Sequence, residues 1–431
     1  MLTPDDDGGA AGNDRGRRCR RRPWGLSVTI PTPNADDYAK VDHDGNIWVA
    51  PGRFSLRPSS WINGPITAPI LPNPAAASRY LGGMLTPQPR RWRPGQAVAL
   101  AMEPQSSRML QKCLEEGGIQ EFDLMFQEVL AGFPTLAGHA FGNYLCQKLI
   151  DKSPPEHRAL ILRRLAGSIA RLSVDVHGTR VIQNLIELCT TPEETALITL
   201  EFKGLAVALA MHCYGSHCLE RCLQVNARSQ AYDWVFDELS DECGKLATDQ
   251  VGCRVFQTAF DVSTGTVRER LALAITENAA QLSVDQWGNY VVQRLLHVGD
   301  KVMRRRLIQV LLPSMATLAL LKFSSNVVER CLRRAPDEAL VDAIVAEMCM
   351  SGPERLAALM CDPYGNYCVQ TAMRVYESSQ AKLEHLAGLV RPHLPLLKVR
   401  YRQPVVKNLA ASYPDLIYER RPGDLFPRNK L

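Results

Sequence analysis

One short frame recurs in phase along this chain: a small residue, a variable polar position, a flat or charged side chain, two apolar residues, and a final Gln or Glu. It reads Gly288-Asn289-Tyr290-Val291-Val292-Gln293 in one copy and Gly142-Asn143-Tyr144-Leu145-Cys146-Gln147 in another. Its variable position falls at Ser107, Asn143, Thr179, Ser216, Cys253, Asn289, Ser325 and Asn366, with spacings of 36, 36, 37, 37, 36, 36 and 41 residues. A period of this length restricts the fold to stacked supersecondary units. One such unit cannot bury its apolar face alone, so its neighbours must complete the core.

Each unit reads as two helices, which makes the expected fold all-α, an α-solenoid. In Pro155–Ala166, Ala159, Leu162, Leu165 and Ala166 follow helical spacing, and a break follows around Ser173 to Asp175. The second segment runs from His177 with Val181, Ile182, Leu185 and Ile186 apolar. Asp175, Asp249, Asp285 and Asp362 stand four residues before their variable positions, where a short acidic side chain suits a helix start. The glycine of the frame allows close backbone packing. The first copy is weak, as a terminal unit should be, and residues 379–418 read as a C-terminal cap with Leu383, Leu386 and Leu389 at helical spacing and Val405, Val406 and Leu409 after Pro404.

The N-terminal part differs. Residues 1–99 hold 13 of the 28 prolines, 4 of the 6 tryptophans and, with 13 Lys+Arg against 8 Asp, the entire net charge of +5. The remaining residues carry 37 charges of each sign, so binding to an anionic partner there must rest on local placement. The expected organisation is a disordered Pro/Arg-rich leader over 1–79, a repeat domain over 80–420 and a tail over 421–431. Within the leader, the arginine run Arg15–Arg22 reads as a solvated tail, with a nuclear-import signal or a phosphate-contacting arm as alternatives. Trp48 and Trp61 could form a docking motif or pack on the repeats.

Several function classes are excluded. The 13 cysteines include no C-x-x-C pair, and Cys113, Cys189 and Cys222 lie in apolar helical patterns as core residues, which points to a reducing, cytoplasmic setting. The arginine run leaves a nuclear or nucleolar location open. No stretch approaches the roughly 18 apolar residues of a membrane span. The basic run precedes no apolar core and does not read as a secretory signal. Neither H-E-x-x-H nor a phosphate-binding P-loop is present, so no catalytic function, cofactor or metal is expected. His139, His177 and His217 read as stacking or packing residues, and Cys218 and Cys222 as core.

The chemistry lies in the frame itself. Its first and last positions are i and i+4, neighbours on one helix face. They pair as Ser107/Gln111, Asn143/Gln147, Thr179/Gln183, Ser216/Glu220, Cys253/Gln257, Asn289/Gln293, Ser325/Glu329 and Asn366/Gln370. The intervening i+1 residues are Arg108, Tyr144, Arg180, His217, Arg254, Tyr290, Asn326 and Tyr367, all flat. Flat side chains can stack between splayed bases, at about 1–3 kcal/mol per base. The polar pairs can meet base edges: an amide both donates and accepts, whereas a glutamate accepts and suits the guanine N1–H and N2–H₂ donors.

Over roughly residues 80–418 this pattern resembles the Pumilio (PUF) family of RNA-binding proteins, whose repeats each read one base. The resemblance implies a right-handed crescent of eight repeats with terminal caps. The second helices would line its concave face, with the last repeat on the 5′ base of a single-stranded messenger RNA. In the family code Asn with Gln reads U, Ser with Glu reads G, and Cys or Ser with Gln reads A. Asn366/Gln370 then implies U, Ser325/Glu329 G, Asn289/Gln293 U, Cys253/Gln257 A and Ser216/Glu220 G. Thr179/Gln183 departs from the usual choices and is assigned A, Asn143/Gln147 implies U and Ser107/Gln111 A. The implied element is 5′-UGUAG(A)UA-3′, placed in mRNA 3′ untranslated regions for control of translation or decay. The protein would act as a monomer, with protein effectors on the convex face and near Met350–Glu354. Repeat 1 lacks the aromatic-Gly lead-in, Ser324 replaces a glycine, and Pro404 interrupts the cap. The alternatives are a nucleolar PUF-like ribosome-assembly factor and an α-solenoid scaffold that binds proteins.

Overall fold

The computed structural model describes residues 92–189, 191–226 and 232–394, together with residues 40–41 and 47–48. Two compact units divide between Gln88 and Pro89. In the first, Lys40–Val41 pairs antiparallel with Ile47–Trp48. The expected leader disorder, the arginine run and Trp61 otherwise lie outside the described residues, as do Pro404 and the segment around Val405.

The second unit is an α-solenoid of eight repeats, and every repeat but the second has three separate helices where the sequence suggested two. Repeat 3 shows the plan: a short helix Ile169–Ser173, a motif helix Gly178–Leu188 and a long helix Pro192–Phe202. The short helix ends where the sequence suggested a break. Five residues are too few to display a 3.6-residue period, yet Ile169 and Leu172 are buried. In repeat 1 the long helix runs from Ile119 to Ala137 and absorbs the short helix of repeat 2, with Pro134 inside it. After the last motif helix, Gly365–Val375, Gln380–Val390 packs as the eighth long helix. It buries Leu383, Leu386 and Val390, so it completes a repeat; the sequence had assigned it to a cap.

The motif helices form an unbroken row. After repeat 1, Pro104–Glu116, come Gly142–Lys152, Gly178–Leu188, Gly215–Asn226, Gly252–Val262, Gly288–Val298, Ser324–Arg334 and Gly365–Val375, each packed on the next. Pairs such as Leu145/Cys146, Val181/Ile182 and Val291/Val292 are buried between them. The long spacing before Asn366 is absorbed beyond the long helix Glu338–Val345. A π-helical turn, Ala346–Met350, follows it; then come Gly352 at φ 129° and an extended short helix, Pro353–Cys361.

The frame glycine works through one contact. A Cβ at Gly178 would stand 2.7 Å from the Leu172 carbonyl oxygen of the preceding short helix. Gly252, Gly288 and Gly365 stand in the same relation, each 2.8 Å from the carbonyl of Leu246, Leu282 and Leu359. Repeat 7 solves the problem differently: Ser324 donates its hydroxyl to the Leu318 carbonyl at 2.7 Å. A methyl group has no such option. Gly178→Ala should therefore lower stability by about 1–3 kcal/mol, and Gly178→Ser by less. Equilibrium denaturant unfolding of the two variants beside wild type measures this; equal losses would show that the serine hydroxyl does not compensate.

Candidate nucleic-acid interface

In six of the eight repeats, 2 to 6 and 8, the motif helix is started by a side chain two residues before its N-cap. Asp175 Oδ1 accepts from the His177 and Gly178 N–H groups at 2.9 and 2.7 Å. Asp249, Asp285 and Asp362 do the same in their repeats. The acids therefore cap the helix start as expected, from just outside the formal cap position. In repeats 2 and 4 a histidine replaces the acid. His139 Nδ1 accepts from Phe141 and Gly142, each at 3.3 Å, and His212 Nδ1 from Tyr214 and Gly215, each at 3.2 Å. His139 is thus a capping residue, correcting its reading as a stacking or packing group. His212 was missed, although it stands four residues before Ser216, in register with the aspartates.

This start places the variable position one residue into the helix. The sequence reading puts both members of each pair at the base edge. The structure corrects this for the inner members: Ser107, Asn143, Thr179, Ser216, Cys253, Asn289, Ser325 and Asn366 are all buried, none more than 5% exposed. The i+1 residues point outward: Tyr144 is 50% and Tyr367 47% exposed, Tyr290 is half-buried, and Arg108, Arg180, His217, Arg254 and Asn326 are exposed. The flat groups therefore border the row while the inner member of each polar pair is fixed within it. Asn326 differs in turning its amide back onto the Lys322 and Phe323 carbonyls, both at 3.3 Å.

The pairs fall into three arrangements. In the first, Asn143 gives its amide N–H groups to the His139 and Ala140 carbonyls, and its Oδ1 accepts from Gln147 Nε2 at 3.0 Å. Asn289/Gln293 and Asn366/Gln370 repeat this at 2.9 and 3.0 Å. The inner amide is spent and the outer glutamine is oriented.

Two outer glutamines of this set depart from the expected open edge. Gln370 is buried at 4% exposure, and Gln293 at 6%, whereas Gln147 is half-buried. The sequence reading leaves Gln370 open to a base, and the structure corrects that. Its Nε2 donates to Asn366 Oδ1, so the carboxamide lies back along the helix and is covered there. The same bond to Asn289 holds Gln293. An i+4 pair can satisfy itself when both members are amides, and helical spacing alone does not distinguish that from an outward pose.

In the second arrangement, Ser107 donates to the Phe141 carbonyl of the next repeat at 3.0 Å and accepts from Gln111 at 3.2 Å. Thr179 copies it, donating to the Tyr214 carbonyl at 3.3 Å and accepting from Gln183 at 3.0 Å. The unusual threonine thus keeps the hydrogen bonds of a serine, its methyl group buried. Cys253 leaves Gln257 to donate to its backbone carbonyl at 3.1 Å.

The third arrangement holds the two glutamates, and each is held by residues the sequence reading did not connect to it. Glu220 accepts from Arg254 Nε of the next repeat at 2.8 Å, with His217 Nδ1 at 3.9 Å. Burial pushes the Glu220 carboxyl up while Arg254 opposes the shift. Glu329 Oε2 accepts from Arg333 at 2.6 Å and from the buried hydroxyl of Thr371, in the next repeat, at 2.7 Å. Arg333 is legible as an i+4 neighbour of Glu329; Thr371 needs the repeat packing. Cys218 and Cys222 are core, as read, whereas Cys113 is half-buried. Among the described residues no helix could cross a membrane and no side-chain cluster could hold a metal.

A family model described as "Pumilio-family RNA binding repeat" matches eight segments: 96–130, 133–166, 168–201, 206–240, 242–276, 278–312, 318–349 and 355–381. The chain belongs to the Pumilio family. Its repeats are an RNA-binding, non-enzymatic fold. Pumilio homolog 12 of Arabidopsis thaliana is 32% identical over 283 residues, 65% of this chain and 47% of that protein. Pumilio homolog 9 of the same plant is 34% identical over 284 residues, 65% of this chain and 49% of its own. The chain thus spans about half the length of these relatives. Among solved structures, a Puf4 RNA-binding domain bound to an HO endonuclease RNA 3′ UTR recognition sequence superposes with a TM-score of 0.66 at 28% identity, covering 73% of this chain and 97% of that one.

The histidine start of the fourth Pumilio repeat makes that helix sensitive to pH. Nδ1 of His212 can accept only when unprotonated, and burial depresses its pKa below 6.5. The folded state therefore binds the proton less well than the unfolded chain. The contribution of His212 is complete above pH 6.5 and is lost as pH falls through the depressed folded value. Two hydrogen bonds of about 1 kcal/mol each are involved. His212→Asp should gain on wild type as pH falls below 6.5. Thermal unfolding of both proteins at neutral and mildly acidic pH measures the difference; a constant offset would refute the assignment.

Proposed function

We propose that this protein reads single-stranded RNA base by base, antiparallel to repeat order, through the eight polar pairs. The element is 5′-UGUAG(A)UA-3′ in messenger RNA 3′ untranslated regions, and the outcome is control of translation or decay. The observation that carries the reading is the division of labour in each pair. The inner member is buried; in the Asn/Gln, Ser107/Gln111 and Thr179/Gln183 pairs its side chain orients the outer glutamine beside a flat i+1 side chain, whereas neighbouring arginines and Thr371 hold the two glutamates. In the covered pairs the outer residue, Gln370 or Gln293, turns out from its asparagine when a base enters. Three Asn/Gln pairs that share one side-chain hydrogen bond support the same base, U, at three positions. The matching hydrogen bonds of Thr179 and Ser107 support A at the sixth base as well as the eighth. The Puf4 domain with its 3′ UTR sequence supports the substrate class.

Ser325→Asn combined with Glu329→Gln should exchange G for U at the second base and leave the other preferences unchanged. Fluorescence anisotropy with 5′-UGUAGAUA and its single-base variants at fixed salt tests this; persistent preference for G would refute the register. Weak binding equal for every sequence would favour the scaffold or ribosome-assembly readings.

Thr371 offers a finer test. Thr371→Val keeps the shape but removes a donor from Glu329. Discrimination for G over A at the second base should fall by about 1 kcal/mol, a factor of about five, with no change at the fifth base, where Glu220 relies on Arg254. An equal effect at both positions would show that Thr371 acts on the fold as a whole.

A further inference from the structure

A second ladder runs beside the polar pairs. Counted from the variable position i, residue i+8 of one motif helix meets residue i+5 of the next. Glu115 meets Lys148 at 2.7 Å and Asp151 meets Asn184 at 2.9 Å. Glu187 meets Arg221 at 2.8 Å, and Asp261 takes Arg294 through two bonds of 2.7 Å. Gln224 and Thr258 make an uncharged rung between repeats 4 and 5. Wherever the i+5 residue in these rungs is a cation, the i+8 residue opposite is an acid.

The rung between repeats 6 and 7 breaks the rule. Its acid position holds His297 and its cation is Arg330. Arg330 is 7% exposed, and among the described residues no hydrogen bond or ion pair holds it. The carboxylate that acts on it, Glu329, is already taken by Arg333 and Thr371. A second guanidinium joins it: Arg334 Nη2 lies 3.3 Å from His297 Nδ1. Burial and then these arginines depress the His297 pKa, so the imidazole does not relieve the cluster by gaining charge. The nearby Arg294 is neutralised by Asp261. Arg334 thus meets a neutral ring, and Arg330 stands on the same rung, neither with a counter-charge of its own. A buried cation left in this way is costly unless an anion completes it.

We infer that Arg330 and Arg334, beside His297, form an anion site for a phosphodiester of the bound RNA strand. Location favours this ligand. Positions i+1, i+5 and i+8 share one helix face. Arg330 therefore stands one turn beyond Asn326, and Arg294 one turn beyond Tyr290, on the stripe that borders the bases. Guanidinium forks suit phosphate oxygens, and the neutral His297 Nδ1 can accept from Arg334, turning that fork. The inference rests on the RNA-reading proposal for its ligand.

The test uses the full chain in three forms: wild type, His297→Asp and Arg334→Gln. His297→Asp restores the acid of the other rungs and leaves Arg330 in place; Arg334→Gln alters the last residue of the motif helix. Binding of 5′-UGUAGAUA and of a variant with the second base changed is measured across a range of salt concentrations. Losing one phosphate contact should make the slope of log K against log salt shallower by about 0.7, in both variants and on both RNAs, with preference for G intact. Replacing single phosphates by neutral methylphosphonates should weaken wild type at one linkage and leave both variants unaffected there. An unchanged slope in both variants, with G still preferred, overturns the anion site while the base-reading proposal stands. A shallower slope with no base preference even in wild type supports the anion site and removes the base-reading proposal.

Discussion

The architecture depends on the approach of each motif helix to the carbonyl of a leucine six residues before its first residue. That contact leaves no room for a side chain in repeats 2, 3, 5, 6 and 8 and little in repeat 4, and Ser324 fits in repeat 7 because its hydroxyl bonds the same oxygen. It seats the motif helix against its short helix at a fixed depth. In repeats 2 to 6 and 8 an Asp or His side chain before the helix then sets its rotation, by holding two N–H groups at its start. Depth and rotation together put the variable position inside the row and the i+1 residue at its border. In the three Asn/Gln pairs the buried amide then orders the glutamine four positions later.

The sequence made the row legible because a helix relates i, i+1 and i+4 without reference to anything distant. The phase of the repeat, the three Asn/Gln pairs and the glycine contact could all be read that way. How far each pair opens to solvent could not: Gln147 and Gln370 share one frame and one hydrogen bond, yet only Gln370 is covered. The short helices were hidden as well, since five residues show no period. So were contacts across the repeat boundary: Thr371 and Glu329 are 42 residues apart, and Arg254 and Glu220 are 34. Each is visible only once the stacking distance between motif helices is known. His212 lies between these cases. Its register with the aspartates was available, but an acceptor role for a neutral imidazole becomes evident only when two N–H groups are seen to converge on Nδ1.

The two glutamates show how one chemical role is met by different surroundings. A carboxylate in a half-buried row needs donors to remain charged. Glu329 has an arginine on its own helix and a buried hydroxyl from the next, both on one oxygen. Glu220 has Arg254, which is also the flat residue bordering the neighbouring base position. In the first case the support is separate from the proposed stacking surface; in the second it is part of it. A base entering beside Arg254 must share that guanidinium with Glu220, so the proposed fifth-base contact is coupled to the stacking surface of the neighbouring base, whereas the support of Glu329 lies apart from it.

Charge in the repeat unit follows the same economy. Beyond residue 99 the chain carries equal numbers of acids and bases, and many of them are spent on each other across repeat boundaries. Such a surface has little excess cation with which to hold a polyanion. Affinity must then come from stacking and base edges, which distinguish sequences, rather than from phosphates, which do not. A single uncompensated rung at Arg330 fits this scheme better than a broad basic face would. It adds one anchoring charge beside the bases proposed to be U and G, and leaves the rest of the row to discriminate.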